Sequence, residues 1–173
     1  VYQLGLLADG QVFYTMKYVR GRTLEDVLEK LRLGDPETCK QYPLSALLTV
    51  FMKVADALAF AHSRGVVHRD LKPGNLLMTY DENSQPDFVK ITDFGNAKRF
   101  GSSQNTGQNV LGTMDFMSPE QAKGELVTIR SDLYSLGSVM YALLSGKPPF
   151  RTNSVEGSLS NLLRAPAPSI SAS

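Results

Sequence analysis

The run His68-Arg69-Asp70-Leu71-Lys72-Pro73-Gly74-Asn75 places an acid, a cation and an amide within one short loop, and it constrains the chain more than any other stretch. Asp70 can accept a proton from a hydroxyl, Lys72 can neutralise a phosphate, and Asn75 can ligate a hard divalent cation. Together they suit phosphoryl transfer, in which positioning and charge neutralisation carry most of the catalysis. Further on, Asp93-Phe94-Gly95 supplies a second oxygen ligand for Mg²⁺.

Two more segments follow in order. Gly112-Thr113 leads to Ser118-Pro119-Glu120, and Ser131-Asp132-Leu133-Tyr134-Ser135-Leu136-Gly137 opens a long apolar stretch. Each piece alone would be an ordinary turn or helix end. Four in register resemble the protein kinases over about Tyr2 to Phe150, with Ser118 where the family usually carries alanine. The resemblance implies an α+β, protein-kinase-like fold: a mainly helical large lobe with a two-strand remnant of the small-lobe sheet. On this reading 1–19 is the end of the small lobe and the hinge, and 20–150 is a partial large lobe. Residues 151–173 form a disordered tail, rich in Ser, Ala and Pro from Ser154 onward.

At 173 residues the chain can bury one well-formed core. Its net charge of +1 gives no reason to invoke nucleic acid or an anionic membrane. The one cysteine, Cys39, excludes an internal disulfide and fits a reducing compartment. The sequence shows no apolar run of bilayer-spanning length, so no membrane segment is expected, and no internal repeat is seen. The chain opens on Val1, so it is expected to be part of a longer protein.

Local patterns predict the elements. Gln11-Val12-Phe13-Tyr14-Thr15-Met16 and the preceding run read as two strands joined at Ala8-Asp9-Gly10-Gln11. Arg20-Gly21 breaks that pattern. Thr23 caps a helix whose Leu24, Val27, Leu28 and Leu31 share a face, and Gly34-Asp35-Pro36 ends it. Leu44 to Ser63 is a helix with Leu47, Leu48, Phe51, Val54, Ala55, Leu58 and Ala61 at helical spacing, stopped by Gly65. Leu76-Leu77-Met78 and Phe88-Val89-Lys90-Ile91 are short strands around a polar turn. Ser118-Pro119-Glu120-Gln121 is a helix start, and Asp132 to Ser145 is apolar on all sides, predicting a buried helix ended by Gly146.

The resemblance assigns roles. Asp70 is the catalytic base or substrate-orienting acid, Lys72 contacts the γ-phosphate of ATP, and Asn75 and Asp93 hold Mg²⁺. Asp-Leu-Lys in this loop and Thr113 downstream resemble the serine/threonine branch, implying protein substrates with Ser or Thr acceptors. Met16, Lys17 and Val19 match the adenine-binding hinge, with Met16 as gatekeeper and Leu77 as the floor under the purine. His68 and Phe94 pack together beside Gly95, and Asp132 holds the His68-Arg69 backbone and caps its own helix. Arg69 would pair with a phosphate on Ser102, Ser103 or Thr106. The family arginine that pairs with Glu120 has no match, since Arg151 and Arg164 sit in the wrong context.

The glycine-rich loop, the strand lysine and its glutamate partner are absent from this sequence, so the rest of the small lobe is expected upstream. The Val1–Val19 sheet would then present an uncovered face, and the chain alone should be weak or inactive. The tone of the motifs resembles bacterial eukaryotic-like serine/threonine kinases, implying a cytoplasmic location or the cytoplasmic part of a membrane-anchored parent. Two readings compete with this: a non-catalytic pseudokinase-like scaffold, and a small-molecule phosphotransferase of related fold.

Overall fold

Gln3–Leu6 (β1) and Val12–Thr15 (β2) pair antiparallel, with Gly5 opposite Phe13, in a computed structural model that describes residues 2–80, 86–94 and 114–170. Leu7 and Gln11 close the turn with an N–H···O bond of 2.8 Å, and Gly10 adopts φ +82° where an L side chain would be strained. Leu4, Leu6, Val12 and Tyr14 are all exposed, as the expected uncovered face requires.

The two short strands expected around the polar turn pair with each other, and a third strand that was not foreseen joins them. Arg22–Thr23 (β3) pairs with Leu76–Tyr80 (β4), which pairs with Pro86–Ile91 (β5), all antiparallel in the order β3-β4-β5. Two residues carry no periodicity, so β3 is created by its partner β4. Thr23 then caps Leu24–Arg32 (α1): its hydroxyl accepts the Asp26 N–H at 3.1 Å, and the Asp26 carboxylate accepts the Thr23 N–H at 3.0 Å. Gly34-Asp35-Pro36 ends that helix and also starts another, Pro36–Gln41 (α2), which the sequence reading lacked. Asp35 is its cap, accepting the Thr38 N–H at 2.8 Å, and Pro36 sits in its first turn.

Leu44–Ser63 (α3) has the predicted bounds. Its buried face is Leu47, Val50, Val54, Leu58 and Ala61, whereas Leu48 is exposed. By length and composition this helix could cross a bilayer, contrary to the expectation that no such run exists. In the fold the face carrying Val54 and Leu58 is a core seam, packed against β5 and against Ile129–Ser145 (α5), while Leu44, Met52 and Phe60 are exposed. Between them lies Pro119–Ala122 (α4), capped as predicted by Ser118.

α5 begins earlier than Asp132. Thr128 is the cap, with the Ser131 hydroxyl accepting the Thr128 N–H at 3.2 Å, so Asp132 lies inside the helix and does not cap it. Nor is the helix buried all round, since Leu133 and Leu144 are exposed. Gly146, at φ +74°, ends it.

The expected disordered tail is corrected as well. Val155–Arg164 is a helix (α6), capped by Ser154, which accepts the Gly157 N–H at 3.0 Å. Its Ser158 and Leu162 are buried and it lies against α4. Averaged composition hid the i, i+4, i+7 spacing of Val155, Leu159 and Leu162. The fold is α+β, and its core joins Leu24 and Val27 of α1, Val54 and Leu58 of α3, Leu76 and Met78 of β4, and Val139 of α5. Each such side chain stabilises the fold by about 1.5–3 kcal/mol through burial.

Candidate active site

Gly65, at φ +72°, terminates α3 and turns the chain toward His68. His68 is fully buried. Its Nε2 donates to the Thr92 carbonyl at 2.9 Å, and its Nδ1 accepts the Asp70 N–H at 3.2 Å. A carbonyl can only accept and an amide can only donate, so the imidazole hydrogen is on Nε2 and both ring nitrogens are occupied. The Phe94 ring meets it edge-on, with centroids 4.6 Å apart. This is the packing pair that the resemblance implies.

Arg69 follows in the left-handed region at φ 71°, which costs an L-residue about 1–2 kcal/mol. The compensation comes from Asp132 on α5. One carboxylate oxygen accepts the His68 N–H at 2.7 Å and the other accepts the Arg69 N–H at 2.8 Å, as expected. His62, near the end of α3, adds a third contact, with Nε2 at 2.7 Å from Asp132 Oδ2. The sequence reading missed His62, whose only signal is its place in the last turn of α3.

The chemistry-bearing groups meet at Asp70. The Lys72 ammonium lies 3.1 Å from Asp70 Oδ2, and the Asn75 side-chain amide donates to the Asp70 carbonyl at 2.7 Å and to Oδ2 at 3.1 Å. Asp70 is therefore oriented from two sides while retaining access to solvent. Thr92, the neighbour of Asp93, donates to the Asn75 carbonyl through its N–H at 2.9 Å and its hydroxyl at 3.2 Å. That pair of bonds holds the two predicted cation ligands on adjacent loops. Asp93 itself is in the left-handed region, at φ 60°.

These donors fit Mg²⁺ bound with nucleotide phosphates. The Asn75 amide nitrogen is committed to Asp70, which leaves its oxygen as the atom able to ligate a cation, as the Asp93 carboxylate also could. Mg²⁺ on a nucleotide needs only one or two such protein oxygens. No cluster of three or more His, Cys, Asp or Glu suited to a metal occurs among the described residues.

On α4, Gln121 was read from sequence only as a capping residue. Its Oε1 accepts the Ser118 N–H at 3.1 Å and hydroxyl at 3.0 Å, and its Nε2 donates to the Arg69 carbonyl at 2.5 Å. Glu120 has a partner after all, though not an arginine: the Ser131 hydroxyl donates to it at 2.5 Å. Burial pushes the Glu120 carboxyl up, but hydrogen bonds from Ser131, its own backbone amide and Ser118, helped by Lys123, hold it net below its ordinary value. Arg151 lies instead 3.6 Å from the buried Asp115.

The predicted nucleotide-base residues are less assembled. Met16 and Lys17 are exposed, and Val19 and Leu77 are half-buried. Gly95, Ser102, Ser103, Thr106 and Thr113 lie outside the described residues.

The sequence matches the family described as protein kinase domain over residues 4–169, which carries the likeness past Phe150 and through α6. It is 40% identical over 145 residues to a probable serine/threonine-protein kinase PknB of Bifidobacterium longum, covering 82% of this chain and 19% of that protein. A serine/threonine-protein kinase pkn3 of Myxococcus xanthus is 38% identical over 164 residues, covering 91% and 28%. The serine/threonine-protein kinase PknB of Mycobacterium leprae is 38% identical over 140 residues, covering 80% and 20%. The chain thus spans between about a fifth and just over a quarter of the length of these curated relatives. With its acid, lysine and asparagine gathered in one pinned loop and this match along nearly its whole length, the chain belongs to the protein kinase domain family.

Proposed function

We propose that this chain is the hinge and large-lobe portion of a protein kinase that transfers the γ-phosphoryl group of ATP to Ser or Thr hydroxyls of protein substrates. The observation that carries the reading is Asp70, whose Oδ2 lies 3.1 Å from both the Lys72 ammonium and the Asn75 amide. An acceptor hydroxyl entering the loop would find Asp70 oriented to take its proton. Lys72, beside it, would balance charge on the transferring group. Asn75 and Asp93 would hold Mg²⁺, which when bound neutralises the phosphate oxygens. Met16, Lys17 and Val19 would meet the adenine, with Leu77 beneath it.

The relatives' printed names support Ser/Thr specificity, as does the Asp70-Leu71-Lys72 sequence. The small-lobe elements that complete an ATP clamp belong, on this reading, to the part of the protein upstream. A cytoplasmic site of action is proposed with it, because the reaction consumes ATP and the exposed Cys39 is a free thiol. The test is radiolabel transfer from ATP to a general Ser/Thr protein substrate by the product of the complete reading frame. Asp70→Asn and Asp93→Asn should each abolish transfer. Wild-type transfer by both variants would sink the reading and leave a non-catalytic scaffold as its replacement.

A further inference from the structure

We infer that Gln121 is a positioning residue for Asp70, acting by fixing the peptide group between Arg69 and Asp70. The inference rests on the kinase reading above. That peptide is held at both edges: its N–H, on Asp70, donates to His68 Nδ1 at 3.2 Å, and its carbonyl, on Arg69, accepts from Gln121 Nε2. The preceding peptide is anchored separately, through the Arg69 N–H to Asp132. Arg69 sits at φ 71°, a conformation that an arginine keeps only when its surroundings over-determine it. Gln121 is the one side chain on α4 that reaches across to supply such a contact, and it does so from a buried position.

The residue type is informative. A capping box is served equally by Glu or Gln, because only the side-chain oxygen is used. At Gln121 that oxygen is spent on Ser118, and the nitrogen, which capping leaves idle, is the atom that meets Arg69. One amide therefore joins the end of the segment following Asp93 to the residue before the catalytic aspartate, 52 positions away. When α4 is docked, the Arg69–Asp70 peptide is locked. If α4 lifts, the carbonyl loses its donor, the peptide is free to rotate, and the Asp70 carboxylate leaves its place beside Lys72 and Asn75.

Gln121→Glu separates the two functions, since a carboxylate can cap Ser118 but cannot donate to Arg69. Gln121→Met removes both and checks that an added charge is not responsible. The measurements, on the product of the complete reading frame, are kcat, KM for ATP, the melting temperature, and amide hydrogen exchange across His68–Leu71. For Gln121→Glu and Gln121→Met alike we expect kcat down about 10- to 100-fold at temperatures well below each variant's melting transition, KM for ATP within about twofold, a lowered melting temperature because the Arg69 carbonyl loses its donor, and exchange at least about tenfold faster. Wild-type exchange in both variants would overturn the inference, as would a kcat loss that disappears well below the melting transition. Asp70→Asn is the control for the reading beneath it. If that variant stays active, the kinase reading fails, while the exchange result still decides whether Gln121 holds Arg69 in place.

Discussion

Asp132 and His68 are 64 residues apart in sequence and 2.7 Å apart in space, carboxylate oxygen to backbone nitrogen. Through this bond and its companion to Arg69, a side chain on α5 dictates the backbone of the loop that carries Asp70. Asp132 is almost wholly buried, so its charge must be matched by donors, and three converge on it. Asp132→Ala is expected to destabilise the fold by about 3–5 kcal/mol, as removing one side of a buried charged network does. Asp132→Asn should cost less, because its amide keeps one acceptor oxygen. Urea denaturation midpoints will rank the two, and equal, small losses would show that the contacts are not energetically coupled to folding.

Gly21 precedes β3 and faces β4. A Cβ added there would run into the Met78 carbonyl, a backbone atom that cannot step aside without breaking the β3–β4 pairing. Gly21→Ala should therefore cost about 1–3 kcal/mol, the usual range for overpacking a tight site. Gly146→Ala, strained by φ +74° but with open space around it, should cost only about 1 kcal/mol. Thermal unfolding of the two variants tests the order.

The helix caps make a local prediction. Thr23→Ala removes the acceptor for the Asp26 N–H and should destabilise by about 1 kcal/mol. The loss should appear as faster amide exchange in the first turn of α1, with the last turn unaffected. Uniform acceleration along the helix would mean that Thr23 acts through packing instead.

Asp115 predicts a pH dependence. Burial pushes its carboxyl above the ordinary 3.8, Arg151 opposes this and Glu25 adds to it, while Oδ1 has no hydrogen-bond partner among the described residues. The folded state thus binds this proton more tightly than the unfolded state. The resulting stability is fully present below pH 3.8 and is lost as pH rises through the folded-state value. The stability of the wild type minus that of Asp115→Asn should therefore be smallest at neutral pH and grow as pH falls. A difference that is flat with pH would show that Asp115 is not held in its unfavourable charged form.

For the proposed phosphotransfer, chelation of divalent cations should abolish activity. Asn75→Ala should raise the Mg²⁺ concentration needed for half-maximal activity by about 10- to 100-fold, the range typical of a perturbed metal site. An unshifted Mg²⁺ titration would remove Asn75 from the cation site.

Much of this protein was readable one segment at a time. The ends of α3, the capping boxes at Thr23 and Ser118 and the β1–β2 hairpin all depend on groups within a few residues of each other. Local signals for α2 and α6 were also present, in Asp35-Pro36 and in Ser154 with Val155, Leu159 and Leu162, but composition obscured them. The early start of α5 at Thr128 likewise followed a local cap that the conspicuous Asp132 drew attention away from.

Residue order alone determined the acid, lysine and asparagine of the Asp70 loop and the family to which they point, because those identities and spacings are covalent facts. Only the tertiary structure decided how that loop is held. The left-handed Arg69, the grip of Asp132 on His68 and Arg69, and the reach of Gln121 from α4 join residues 52 to 64 positions apart. A strained backbone is stable only where distant partners supply its hydrogen bonds, and no local pattern reveals which partners folding will bring.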